Sequence, residues 1–566
     1  MRAGTKEAGT ARCLLVVPPV DLPTHPYPAV VQLATWLRRR GHAVEAVDAN
    51  VRFFRWAIGA ERLERGCGAA RELLARLDAG DLSPDSETRP LLAEYRRSLG
   101  LRERFPGLFE SLMDEGSPLP VPFRLDAVEA ALNLAFAPTF PERVMTRVSL
   151  QYRGRADRFS SASLWEALES RSLLDEFYAD LLPALPLDDF DFVGISVPFP
   201  QQFEPCLRLC RAIRRSHPRL PLYLGGPAVG IHLQLFPDER IFRLVDGMVV
   251  GDGEKPLEAM LAASRRGGVR PEEVPGMVWL DGGEIRRNPL PPPTPLSGVS
   301  APDDVFSREG YLCAPGDPFH RLSLSRGCSW GRCAFCNTGG SGLFPSQKLP
   351  AEEAFRRVKE LVARGERTFC FADDEADGAV LAELARRSLE EGIRFDWTVQ
   401  TRFHPVMTLE WASLLRRAGC RKLFVGLETF DDRLLRLMGK PVNRRLVERS
   451  LTELAWAGLP VTVYMIVGLP TETEEEARDS FERLLARVRS GEVSGVHYNL
   501  FSVPPCAPVG RDPGRYGITS LRPPGGTDLA PMVEEFESSG MSRPAARSLQ
   551  AEFEERLERE LRTPRG

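Results

Sequence analysis

"SLSRGCSWGRCAFCN", residues 323–337, holds three cysteines at the spacing Cys-x4-Cys-x2-Cys: Cys328, Cys333 and Cys336. Thiolates are soft ligands that select zinc or iron–sulfur clusters. A structural zinc site wants four closed ligands. Here no fourth cysteine or histidine follows in a zinc-ribbon pattern; His320 lies a whole strand earlier and Cys313 further back. A [4Fe–4S] cluster held by three thiolates leaves one iron open for a substrate or cofactor. Zinc with a distant fourth ligand, and cysteines that merely pack in a core, are the competing readings. Gly327 and Gly331 allow the loop to wrap closely round a cluster, which core cysteines would not require.

Outward from this stretch the chain reads as a series of β–α repeats. Strands are expected in "HRLSLSRG", "RTFCFADD", "FDWTVQTRF", "RKLFVGLET", "LPVTVYMIVGLP" and "VHYNLFSVPP", with helical patterns between them. Six such repeats over 320–510 predict a barrel or an open part of one, with its active site at the C-terminal strand ends. The cysteines follow the first strand, at that face. A Pro/Gly-rich turn region and a charged helix at roughly 543–562 make up a tail over 511–566.

Towards the N-terminus, residues 11–20 read as a strand, residues 29–40 as a helix with Val30, Leu33, Ala34 and Leu37 on one face, and "HAVEAVDAN" as a second strand. That β–α–β unit implies a parallel sheet. Helical spacing then dominates about 51–187, an insertion, before the strands resume at "FDFVGISVPFP", "LYLGGP" and "LVDGMVVGDGEKP". The pattern predicts a doubly wound α/β domain over 1–290. A proline-rich stretch, with four prolines in 291–295, opens an extended linker over 291–319.

Composition narrows the class. A net charge of -4 gives no general affinity for nucleic acid or an anionic membrane. Only six of the 74 basic residues are lysine, and the arginines are spread evenly, as a coding bias would spread them. No segment approaches the roughly 20 apolar residues that span a bilayer, so a cytoplasmic protein is expected, with no membrane partner. Eleven cysteines suit metal or redox chemistry better than a disulfide framework.

With these residues in view, the chain resembles the radical S-adenosylmethionine (SAM) superfamily, whose usual signature is Cys-x3-Cys-x2-Cys with an aromatic residue before the last cysteine. Phe335 takes that aromatic position; the first gap is longer by one. The resemblance implies a [4Fe–4S] cluster, SAM bound at its open iron, a 5′-deoxyadenosyl radical, and an electron donor such as flavodoxin or ferredoxin. It implies SAM contacts at Asp373 or Asp374 in "FADDEAD", Arg402 in "TVQTRF" and Glu428 in "FVGLET", with "MIVGLPTET" near the adenine. Simpler roles compete: helix caps for the aspartates, and an Arg402–Glu428 ion pair.

The N-terminal domain resembles the cobalamin-binding domain fused ahead of many radical SAM enzymes. On that resemblance Ser196, Gly225, Gly226, Gly251, Gly253 and Glu254 lie along the cofactor. The usual Asp-x-His-x-x-Gly motif is absent: in "VDLPTHPYPAV" three residues separate Asp21 from His25, and Pro28 stands where glycine is expected. Cobalamin without a protein histidine on cobalt is therefore expected. Together these features imply a cobalamin-dependent radical SAM enzyme, a C-methyltransferase acting on an unactivated carbon of a peptide or small natural product. A radical rearrangement or ring closure without methyl transfer, and an iron–sulfur sensor or binding module, are the alternatives.

Overall fold

A computed structural model describes residues 11–562 except 86–87, 113–120, 147–149, 158, 234–237, 299–301, 303–304, 314–316 and 524. The chain divides into two compact units. One takes residues 1–292, 303–319 and 526–529; the other takes 293–302, 320–525 and 530–566.

The first unit begins with β1 (Arg12–Val17), α1 (Pro28–Arg38) and β2 (Ala43–Asp48), the β–α–β unit expected from the pattern. Pro28 opens α1 at its first turn, where no backbone N–H is needed. β1 and β2 pair in parallel, Arg12 with Ala43 through Val17 with Asp48. The insertion follows: α2 (Ala49–Ala57), α3 (Ala60–Asp78), α4 (Arg89–Arg104), α5 (Val121–Phe136), the antiparallel β3 (Arg143–Thr146) and β4 (Leu150–Arg153), then α6 (Ser161–Glu169) and α7 (Leu173–Leu181). It is mostly helical, as expected; the β3–β4 hairpin was not legible in the pattern.

The sheet resumes with β5 (Phe192–Ser196), α8 (Phe203–Ser216), β6 (Leu222–Gly225), β7 (Gly247–Val249), α9 (Glu254–Ser264), β8 (Met277–Asp281) and β9 (Glu284–Arg287). Strand order is β2-β1-β5-β6-β7-β8-β9. The first five run parallel and the last two turn back as an antiparallel hairpin. Apart from that edge hairpin this is the doubly wound flavodoxin-like order. Its topological switch lies between β1 and β5, where open α/β sheets bind ligands. Buried Gln202 spans that crevice, donating to the carbonyl of Pro18 at 2.7 Å.

The stretch expected as a linker is shared out. Leu296 donates its N–H to Gln347 Oε1 at 3.0 Å and its carbonyl accepts from Arg357 at 2.6 Å, within the second unit. Tyr311 belongs to the first unit, where its hydroxyl donates to buried Asp48 at 2.7 Å.

The second unit is built on β10 (His320–Leu322). A short ladder of β11 (Ser325–Arg326) and β12 (Gln347–Lys348) ties the two ends of the cysteine loop together, and α10 (Asn337–Gly340) lies within that loop. Then come α11 (Ala351–Ala363), β13 (Thr368–Phe371), α12 (Gly378–Glu390), β14 (Asp396–Arg402), α13 (Leu409–Arg417), β15 (Cys420–Glu428), α14 (Asp432–Leu437), α15 (Arg444–Trp456), β16 (Val461–Val467), α16 (Glu474–Arg489) and β17 (Gly495–Leu500). The six-stranded sheet runs β10-β13-β14-β15-β16-β17, parallel throughout and in sequence order, as an open (β/α)6 half-barrel requires.

Alternation fixes which residues face inward. Along β15, Leu423, Val425 and Leu427 are buried under the helices, while Lys422, Phe424 and Gly426 lie on the less buried concave face. The tail adds α17 (Pro508–Arg511), a hairpin of β18 (Ile518–Leu521) and β19 (Phe536–Ser538), and α18 (Arg543–Arg562). Phe553 of α18 stacks on Phe481 of α16 at 4.0 Å, so this charged helix packs against the sheet's last repeat.

Candidate active site

The cysteine loop leaves the C-terminal end of β10 and is pinned on all sides. Gly327 and Gly331 have φ of +63° and +58°, a region that favours glycine. A Cβ on Gly327 would lie 2.4 Å from the Phe344 carbonyl oxygen. Trp330 Nε1 donates to the Gly439 carbonyl at 2.7 Å, Ala334 N–H to the Met438 carbonyl at 2.9 Å, and Val509 N–H to the Ala334 carbonyl at 3.0 Å. Asn337 Oδ1 accepts from the Cys506 N–H at 3.0 Å.

Cys328, Cys333 and Cys336 are all half-buried and free. Burial pushes the Cys333 thiol up to about 12; Lys440 pulls it down, and Cys336, Glu428 and Cys328 push it further up. Three thiols in a half-buried loop, with the ionisation of Cys333 opposed by burial, fit a cationic iron–sulfur core, whose charge repays that cost. The fourth zinc ligands weighed from the sequence lie elsewhere: His320 pairs with Glu366 at 3.2 Å at the start of β10, and Cys313 is buried in the first unit. Among the described residues no three His, Cys, Asp or Glu side chains gather round a single ion.

The acidic segment after β13 supports this loop from below. Asp373 is buried, and its Oδ1 accepts from the Ser325 N–H at 2.5 Å and hydroxyl at 3.1 Å. Burial pushes the carboxyl up to about 7 despite these bonds, and Oδ2 has no hydrogen-bond partner among the described residues. Asp374 is exposed. Neither caps α12; Asp377 does, accepting from Ala379 and Val380. Glu375, which the sequence pattern did not single out, joins three elements. Its Oε2 accepts from the Ser329 N–H and hydroxyl, both at 2.8 Å, and its Oε1 accepts from Arg402 Nε. Burial raises its pKa, but Ser329, Arg402 and Cys328 outweigh that and hold it below the usual range.

Arg402 and Glu428 end β14 and β15 at the cluster side, as expected, but they do not pair with each other. Arg402 goes to Glu375 through Nε, and its two Nη groups make no hydrogen bond among the described residues. Glu428 has φ +71° and an almost buried carboxylate 2.8 Å from Lys440 Nζ. A left-handed acidic residue at a strand end is a strained backbone of the kind that collects at functional sites. Lys440 has no motif to mark it in the sequence; burial opposes its charge, yet Glu428, Cys333 and Cys328 raise its pKa. Its one signal is composition, a buried lysine in a chain that otherwise uses arginine. Glu472 of "MIVGLPTET" is buried and accepts from Gly468 and Leu469 at 2.6 and 3.0 Å.

In the first unit the sequence-derived cofactor positions gather at the C-terminal strand ends. Ser196 ends β5 and Gly225 ends β6, side by side in the ladder. The four glycines separate into two kinds. A Cβ on Gly226, at φ +101°, would lie 2.7 Å from the Val197 carbonyl oxygen, and one on Gly253 would lie 3.2 Å from Leu33. At Gly225 and Gly251, the latter at φ +90°, the nearest atoms would be 3.8 and 3.6 Å away, ordinary contact distances, so these two leave uncrowded backbone where a flat ligand could rest. Glu254 is buried in the first turn of α9. His25 lies 2.7 Å from the Thr24 hydroxyl, on a loop that Asn50 clamps through the backbone of Asp21 at 2.8 and 3.1 Å.

A glycine-hinged loop of three thiols beside a strained strand-end glutamate, on a six-stranded parallel half-barrel, defines a radical SAM domain. Residues 322–484 match the radical SAM superfamily model, so the chain carries a domain of that superfamily, with the cluster and SAM that the domain implies. Relatives and a solved structure are also similar to this chain. An uncharacterized methyltransferase of Pyrococcus horikoshii is 24% identical over 316 residues, covering 53% of this chain and 65% of that protein, so the chain spans just under two thirds of this relative's length. The hopanoid C-2 methylase of Rhodopseudomonas palustris is 23% identical over 306 residues, 52% of this chain and 53% of that one. The cobalamin-dependent SAM radical enzyme OxsB, solved with aqua-cobalamin and SAM bound, shares the fold at a TM-score of 0.59 with 13% identity, over 97% of this chain and 67% of that one.

Proposed function

We propose that this protein is a cobalamin-dependent radical SAM enzyme that transfers a methyl group to an unactivated carbon of a peptide or small natural product. The observation that carries the reading is the loop of Cys328, Cys333 and Cys336 at the end of β10, facing the strand-end Glu428. The cluster, when bound, supplies the electron that cleaves SAM, and cobalamin supplies the methyl group. The chain's own residues do the rest. The three thiolates hold the cluster, Phe335 walls it, and Glu375 fixes the loop through Ser329. Arg402 keeps two Nη groups for the SAM carboxylate, exposed Asp374 stands for its amino group, and Glu428 accepts from the ribose hydroxyls. Asp373 acts beneath the loop through Ser325.

In the first unit, Ser196 and the open backbone at Gly225 and Gly251 form the cobalamin rest, while Gly226 and Gly253 serve packing. Glu254 sets the first turn of α9 beside it. The doubly wound sheet and the carbon methylation named for the hopanoid relative support this reading. Eleven cysteines with no disulfide among the described residues suit a reducing cytoplasm and an external donor of the flavodoxin or ferredoxin kind. Among the described residues no helix is long and apolar enough to cross a membrane. A second reading is radical rearrangement or ring closure, in keeping with OxsB, which shares the fold over nearly the whole chain and is named a cobalamin-dependent SAM radical enzyme.

Anaerobic reconstitution of the full chain tests the proposal. The wild type should be brown with about four irons, and Cys328→Ala, Cys333→Ala and Cys336→Ala combined should abolish both. With cobalamin, a reductant and methyl-labelled SAM, mass spectrometry should find 5′-deoxyadenosine and label in a candidate acceptor. A colourless protein with one zinc refutes the cluster; 5′-deoxyadenosine without label transfer selects the second reading.

A further inference from the structure

The segment between α14 and α15 is clamped to the cysteine loop. Met438 and Gly439 accept backbone and indole N–H groups from Ala334 and Trp330 at 2.9 and 2.7 Å. Gly439 has φ +68°, and a Cβ there would lie 2.8 Å from the Arg332 carbonyl oxygen. The next residue, Lys440, sends a side chain only 8% exposed back to the end of β15. Its ammonium lies 2.8 Å from Glu428 Oε1, donates to the Gly426 carbonyl at 3.1 Å, and stands 5.8 Å from the centre of the Phe335 ring. Its backbone is thus registered to the cysteines and its side chain to the strand-end carboxylate.

Three thiolates outweigh the two positive charges of an oxidised [4Fe–4S] core, and reduction adds one more negative charge. A fixed cation nearby stabilises the more negative state, and the effect is large where water is scarce. Lysine suits the place better than the arginine this chain otherwise prefers, because a compact ammonium fits between a carboxylate, a carbonyl and a ring face where a planar fork would not.

We propose that Lys440 is a positioning residue that holds Glu428 in register with the cysteine loop and, through its charge, raises the cluster's reduction potential. This rests on the reading of Cys328, Cys333 and Cys336 as cluster ligands. The test is the midpoint potential of the reconstituted full-length protein, followed by visible absorption and electron paramagnetic resonance at matched iron content. Lys440→Met should shift the potential negative. Because Lys440→Met strands the buried Glu428 charge, Glu428→Gln is also compared with Glu428→Gln/Lys440→Met, in which no charge is left unpaired; the double variant should again be the more negative. Equal potentials at equal iron content in both comparisons overturn the proposal and leave Lys440 a counter-ion of Glu428 alone. A wild-type chain that takes up no iron and sulfide overturns the cluster reading as well.

Discussion

Glu428→Ala is expected to cost the fold about 3 kcal/mol. Removing one partner of a buried ion pair leaves the other uncompensated, a loss of about 3–5 kcal/mol. Both side chains here are under a tenth exposed and 2.8 Å apart. The Gly426 carbonyl keeps one bond to the ammonium, which places the expectation at the low end. Alanine also inherits the left-handed backbone at φ +71°, a conformation that costs a non-glycine residue about 1–2 kcal/mol. Glu428→Gly loses the same pair but relieves that strain, so it should be more stable than Glu428→Ala by about 1 kcal/mol. Glu428→Ala/Lys440→Met buries no charge and should recover most of the loss. Urea unfolding of the full-length chain, followed by the emission of its eight tryptophans, buried Trp397 among them, measures all three. Equal stabilities for the alanine and glycine variants, or a double variant at the sum of the singles, would refute the argument. In the folded Glu428→Ala protein, SAM affinity should fall by about 1–3 kcal/mol, the worth of a hydrogen bond to a charged group; unchanged affinity would assign Glu428 to structure only.

The two kinds of glycine should separate cleanly. Gly226→Ala should destabilise by about 2 kcal/mol or more through its φ and its clash with Val197, whereas Gly225→Ala should fold normally and lose cobalamin, as read by its visible spectrum after gel filtration. Burial pushes Glu472 up to about 8, so between the ordinary carboxylate range and pH 8 the folded state keeps a proton that the unfolded state has lost. Stability should then fall as pH rises through that window, by up to about 1.4 kcal/mol per pH unit, and Glu472→Gln should flatten the slope seen by denaturation at several pH values. Cob(II)alamin bound to the protein should show no nitrogen triplet splitting from His25 in its paramagnetic resonance spectrum; splitting that disappears in His25→Ala would reverse that assignment.

Much of this architecture was legible because β-branched and aromatic residues recur, often in alternation, in short stretches of the second unit bounded by turn residues and separated by helical patterns, an order that points to a parallel half-barrel. The doubly wound sheet was readable for the same reason. The β3–β4 hairpin was not, since strands of four residues carry too little alternation to stand out from helical surroundings. Site residues followed the same division. The candidate cysteines announce themselves by spacing, and the strand-end Arg402 and Glu428 only through the family resemblance. Their partners do not: Glu375 meets Arg402 across 27 positions, and Lys440 reaches Glu428 from beyond a helix. No local pattern encodes such a pairing. The proline-rich stretch misleads in a similar way, because prolines specify an extended backbone without saying which body it lies against, and that is settled here by Leu296 and Tyr311.

The carboxylate of Glu375 has a bearing on how the protein matures. It fastens the first residue after Cys328 to the third strand through Arg402, while the β11–β12 ladder closes the loop's two ends. None of these ties uses iron. Such ties order the loop through the chain's own groups, and so lessen the ordering entropy that holding a cluster would otherwise cost.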